Sequence, residues 1–92
     1  MLDVKEAVKI AAEYFANLYD ENTYSDLQLE EVELSEDEKY WFVTLSYAYG
    51  EASQTQVAAM LNLPVSKPRK YKQFRINAET GQVQAMTIRK VG

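Results

Sequence analysis

Side chains able to move protons or bind metal ions are unevenly supplied in this chain. It contains no histidine and no cysteine. That removes the commonest general base, the commonest zinc ligand and every thiolate mechanism. Carboxylates are plentiful: of fourteen Asp and Glu, nine lie between Asp20 and Glu38. Acid–base catalysis needs carboxylates in unlike surroundings that drive their pKa values apart. A run of acids in polar sequence reads instead as solvated surface. Asp20-Glu21-Asn22 and Glu36-Asp37-Glu38 offer oxygen ligands to a hard cation, but neither has the spacing or the glycine of a calcium loop. Gly50, Gly81 and Gly92 stand too far apart to cradle a phosphate. No histidine is present to activate a serine. The sequence predicts no enzymatic activity, no metal site and no cofactor.

Recognition chemistry is better represented. Lys67, Arg69, Lys70, Lys72 and Arg75 form a basic segment interleaved with Tyr71 and Phe74, and Arg89 and Lys90 can join it. Cations beside aromatic rings on an open sheet can stack bases and hold phosphates. They can equally pair with the acidic segment and keep strands soluble. The net charge of −4 opposes binding to a polyanion. Nucleic-acid binding is therefore the second expectation, behind protein recognition.

The elements that must position these groups follow from periodicity. Ninety-two residues, 47% apolar and 26% charged, make one globular domain spanning residues 1–92. Asp3 and Glu6 have capping-box spacing. Val4, Ala7, Val8, Ala11, Phe15 and Leu18, with Tyr14 beside them, form an apolar stripe on a helix running from Val4 to about Tyr19. Tyr24-Ser25-Asp26 reads as loop. Leu27-Gln28-Leu29 and Val32-Glu33-Leu34 alternate out of phase, which predicts a bulge at Glu30-Glu31 on an edge strand. Ser35 to Lys39 is a polar turn.

Tyr40 to Tyr49 carries no charge and is rich in aromatic and β-branched residues, the composition of a central strand. Trp41, Val43, Leu45, Tyr47 and Tyr49 share one face. Tyr40, Phe42, Thr44, Ser46 and Ala48 share the other. Gly50 ends this strand. Ala52 to Ser66 has no charge and is too short and polar to span a bilayer. Val57, Met60 and Leu61 within it fit one helical face. Two more strands, Arg69 to Asn77 and Gln82 to Val91, flank a hairpin loop at Ala78-Glu79-Thr80-Gly81. The fold class is α+β: one N-terminal helix packed on a four-stranded antiparallel sheet. Trp41, Val43, Leu45, Phe74, Ile76, Met86 and Ile88 are the expected sheet partners of the helix stripe, with Trp41 buried between sheet and helix.

The alanine-rich helix (Ala7, Ala11, Ala12, Ala16), the strand Tyr40-Trp41-Phe42-Val43 and the run Phe74 to Val83 together resemble a PepSY-like or cystatin-like domain. The alternating strand, the acidic-Thr-Gly turn and the following valine are similar to the closing hairpin of PepSY domains. Asn77 stands where such domains often carry Asp. The resemblance implies a non-enzymatic inhibitory or interaction module, and it carries over no site residues.

A helix on the Trp41 face leaves Tyr40, Phe42, Tyr71, Arg75 and Arg89 on the opposite one. Tyrosine and arginine dominate interface energetics because each joins broad apolar contact to a polar tip. These residues are the expected site of partner binding or self-association, and the Ala52–Ser66 segment either shields or extends them. The first residues, Met1-Leu2-Asp3-Val4-Lys5-Glu6, do not read as a secretory signal. A cytoplasmic protein without membrane association is the expectation.

Overall fold

The computed structural model describes residues 1–49, 60–61 and 69–89. Helix α1 spans Val4–Leu18, followed by strands β1 (Tyr24–Leu34), β2 (Tyr40–Tyr49), β3 (Arg69–Asn77) and β4 (Val83–Ile88). The four strands form one antiparallel sheet in the order β1-β2-β3-β4, and the helix packs on one face of it. Asp3 caps α1, its carboxylate accepting a hydrogen bond from the Glu6 amide at 2.8 Å. The helix closes at Tyr19, whose extended backbone leaves the α region while its N–H still reaches the Phe15 carbonyl.

The core forms where the helix stripe meets alternate residues of the central strands. Ala7, Ala11 and Phe15 from α1 pack with Val43, Leu45 and Tyr47 from β2 and with Phe74 and Ile76 from β3. Alanines at the first two buried positions of α1, Ala7 and Ala11, let the helix sit close to the sheet. Phe15 then fills the space at the far end. Its ring stacks on Tyr19 at 4.5 Å between centroids, and meets Tyr24 at 4.7 Å and Tyr47 at 4.8 Å. Each ring joins a different element or its boundary, so one aromatic cluster ties the helix end to β1 and β2.

Several boundaries differ from the sequence expectation. Tyr24 and Ser25 belong to β1, because they pair with Tyr49 and Ala48 rather than looping free. The bulge expected at Glu30-Glu31 is present as a register shift between Leu29 and Glu31, and a second shift lies between Ser25 and Gln28. The last strand is shorter at both ends than Gln82–Val91. Val4 and Leu18 sit at the rim of the helix stripe and are exposed, as is Ile88 on the sheet margin, so these three are not core. Trp41 is only partly buried, its indole N–H needing a polar partner, which it finds in the Leu2 carbonyl at 3.1 Å. Of the uncharged Ala52–Ser66 stretch, Met60 and Leu61 are described, and both are exposed. Gly50, Val57 and most of that stretch lie outside the described residues, as does the end of the chain from Lys90.

The chain start is fastened to both turns at one end of the sheet. The Leu2 amide donates to the Ala78 carbonyl at 2.7 Å, and the Ala78 amide donates to the Lys39 carbonyl at 2.9 Å. Gly81 lies in the same place with φ +77, and a Cβ there would stand 3.0 Å from Ile10 Cδ1 and 3.3 Å from Leu2 Cδ1. Backbone strain and crowding act together at this position. Gly81→Ala is expected to lower stability by about 1–3 kcal/mol. Urea denaturation of the two proteins checks this, and an unchanged midpoint would show that the turn relaxes freely.

Candidate functional site

The residues expected to form the site do share a face. Phe42 lies beside Arg75, Tyr40 beside Asn77, and Ser46 beside Tyr71. The Arg89 amide donates to the Tyr71 carbonyl at 3.0 Å, which places Arg89 in Tyr71's row. Alternation puts Val43, Leu45, Phe74 and Ile76 under the helix and turns Tyr40, Phe42, Tyr71, Arg75 and Arg89 away from it.

Within that face the five residues fall into two groups. Tyr40, Phe42 and Arg75 occupy the end near the turns. Tyr40 and Phe42 are half-buried, Arg75 is exposed, and its guanidinium carbon stands 5.3 Å from the centre of the Tyr40 ring. An exposed cation over an aromatic face gains about 0.5–1 kcal/mol, which favours this placement of the guanidinium. Tyr71 and Arg89 lie further along, where polar side chains cross the sheet. Arg89 reaches Glu31 at 3.4 Å. Glu31 stands on β1 opposite Thr44, so this ion pair links the two edge strands over the strands between them.

A second polar cluster follows along the strands. Arg69 donates to the Asp26 carboxylate at 2.9 Å, to the Asp26 carbonyl at 2.8 Å and to Ser46 Oγ at 2.7 Å. Ser46 Oγ in turn donates to Glu30 at 2.7 Å. The two register shifts of β1 explain how its acids arrive there. Glu30 is the additional residue of one shift, and Asp26, with φ 54, lies inside the other. A bulge re-aims the side chain it inserts, here toward Arg69 and Ser46. Thr44 and Ser46 are buried at 2% and 0% exposure although α1 lies on the other side of the sheet. Ser46 uses its proton on Glu30 and its lone pairs on Arg69, in a position closed to solvent, which is a structural role and not that of a nucleophile.

Polar turns fix the exposed end. Ser35 donates to Asp37 at 2.6 Å, Asp37 accepts from the Lys39 amide at 3.1 Å, and Ser35 Oγ accepts from the Tyr40 amide at 3.1 Å. These bonds set where β2 begins, and so where Tyr40 and Phe42 stand. The Ser35 hydroxyl, then the Lys39 amide, hold the Asp37 carboxyl below the ordinary aspartate range. On the neighbouring strand Asn77 accepts from the Glu79 and Thr80 amides at 2.8 and 3.0 Å, an Asx turn that closes β3 just past Arg75.

The basic segment thus serves partly in intramolecular pairing: Arg69 with Asp26, and Arg89 with Glu31. Arg69 was a missed member of the face. Its odd number, shared with Tyr71 and Arg75, is the signal that places it there. Glu30 and Asp26 could not be placed by counting, because both lie where the alternation breaks. Among the described residues no three acidic side chains converge as a metal site would require, and no helix is long and apolar enough to cross a membrane. No family model, no curated protein and no solved structure matches the chain.

Two expected outcomes follow from these polar groups. Arg69→Ala takes the guanidinium from the buried Ser46 hydroxyl and from the Asp26 carbonyl and is expected to cost about 1–3 kcal/mol. Thermal unfolding measures it, and a loss near zero would mean that water replaces the guanidinium. Asp37 gives a pH signature. Its folded pKa is depressed, so its contribution is complete above the ordinary aspartate value and disappears as pH falls through the lower folded value. Ser35→Ala should move the Asp37 carboxyl titration, followed by NMR, upward toward the ordinary range. The stability gap between the two proteins should be constant at neutral pH and narrow in acid. A gap that widens in acid would contradict the assignment.

Proposed function

We propose that this chain is a small non-catalytic protein-interaction module, inhibitory, immunity-like or regulatory, that takes its partner on the Tyr40–Phe42–Arg75 end of the sheet face opposite α1. The observation that carries the reading is the pairing of half-buried aromatic rings with an exposed, ring-oriented guanidinium on a face that α1 does not cover. Such anchors bury broad apolar area while a rigid polar group sets orientation. The similarity of the Phe74–Val83 hairpin to that of PepSY domains supports the same kind of role.

Single-stranded nucleic acid is the alternative ligand, and the charge on the face opposes it. Arg69 and Arg89 are engaged by Asp26 and Glu31, and Glu33 lies in the row of Phe42 and Arg75. A phosphate backbone would have to displace or pass these carboxylates.

Affinity capture from the native host tests the reading with wild type, Phe42→Glu, Tyr71→Glu and Arg75→Glu. A discrete protein held by wild type should be lost at least about tenfold by Phe42→Glu and Arg75→Glu, the anchor positions, and less by Tyr71→Glu. Lys5→Glu, on the outer side of α1, should retain it. Equal capture by all variants would remove this face from the mechanism. Salt-sensitive retention of wild type by an oligonucleotide column would favour the alternative.

A further inference from the structure

Carboxylates flank the Tyr40–Phe42–Arg75 end of the face. Glu33 stands opposite Phe42 on β1, as Arg75 does on β3, so the three side chains share one row on one side of the sheet. The row reads acid, ring, base, with Glu33 and Arg75 two strand spacings apart, about 10 Å. The turn that leads into Tyr40 adds Glu36, Asp37 and Glu38 against one lysine, Lys39, and all four are exposed. The Ser35 hydroxyl and the Lys39 amide both donate to Asp37 and favour its ionised form.

Further along the same face, Asp26 and Glu31 are matched by Arg69 and Arg89. Glu33, Glu36 and Glu38 join no ion pair among the described residues. Arg75 is turned to the Tyr40 ring and lies on the far side of Phe42 from Glu33. Glu33 and the turn together set four carboxylates against two cations, Lys39 and Arg75, where the half-buried rings of Tyr40 and Phe42 stand. The whole chain has the same sign, at −4. A ring beside a carboxylate suits a cationic side chain, since the ring face attracts the cation and the acid accepts its N–H groups.

We infer, resting on the interaction module proposed above, that its partner is a basic protein surface presenting lysine or arginine beside an apolar side chain, the apolar group on Phe42 and the cation on the Glu33 side. Arg75 gives the contact a direction. A cation brought to its side of Phe42 meets a like charge, whereas a partner carbonyl can accept from its guanidinium. The rings supply contact area and the row of charges supplies orientation. Net charge decides against a second copy of the chain, because two chains of −4 repel. The same charge draws a basic partner in.

Amide NMR of the whole chain, titrated with end-blocked pentapeptides, tests the partner chemistry. The probes are Lys-Leu-Trp-Leu-Lys, Gln-Leu-Trp-Leu-Gln and Glu-Leu-Trp-Leu-Glu, whose outer residues and tryptophan share one side when extended. The lysine peptide should shift the Glu33, Phe42 and Arg75 amides and bind at least about fivefold more tightly than the glutamine peptide, with the glutamate peptide weakest. Added salt should narrow the difference. Glu33→Gln should reduce the lysine preference with unchanged circular dichroism, and Phe42→Ala should weaken all three peptides. Equal affinity for the lysine and glutamine peptides at this face would overturn the cationic partner and leave the face itself in place. A lysine preference that survives both substitutions would assign it to diffuse acidic surface and overturn the inference too. Absence of shifts at this face with every peptide would remove both readings.

Discussion

A single helix of 15 residues has to cover a sheet whose central strand alone has 10. At about 1.5 Å per helical residue and about 3.3 Å per strand residue, the helix spans roughly 22 Å against roughly 33 Å of strand. The mismatch governs the rest. The close approach of Ala7 and Ala11, the reach of Phe15 toward Tyr24 and Tyr47, and the polar seat of Trp41 beyond the helix stripe all accommodate a cover shorter than what it covers. On the second face, among the described residues, side chains from the strands themselves cross the middle.

These side chains are polar, and the choice has energetic meaning. The pair Arg89–Glu31 is exposed on both partners, and such pairs contribute about 0–1 kcal/mol. Arg69 is more enclosed, and its bonds to Asp26 and Ser46 satisfy groups that would otherwise be costly to bury. The sheet gains little net stability from these bridges. What it gains is a partner for the buried Ser46 hydroxyl, which Glu30 and Arg69 satisfy. Tyr40 and Phe42 stand at the end away from these bridges, and Tyr71 stands among them.

Much of this was legible beforehand, for a definite reason. The helix, the central strand and the division of Tyr40, Phe42, Tyr71 and Arg75 from Val43, Leu45 and Phe74 all follow from uninterrupted periodicity, which sequence displays directly. Legibility failed where periodicity is broken or where an end effect decides. Tyr24 looks like loop because the bulge at Asp26 hides its pairing with Tyr49. Val4, Leu18 and Ile88 have the right period but sit at the rims of their elements. Alternation assigns Arg69, Tyr71 and Arg89 to a face, yet it cannot say that carboxylates from a distant strand cross over it, since that depends on two register shifts in β1.

The stitch between Leu2, Ala78 and Trp41 has a consequence for the order of folding. The hairpins β1–β2 and β3–β4 close over short turns, whereas Leu2 must find partners from opposite halves of the chain. Contacts between distant residues are the last for which loop closure is compensated by other structure. The sole tryptophan holds one of them through its indole N–H. Its fluorescence therefore reports the docking of the chain start together with the pairing of β2 to its neighbours, since Trp41 also stands opposite Leu34 and Ile76.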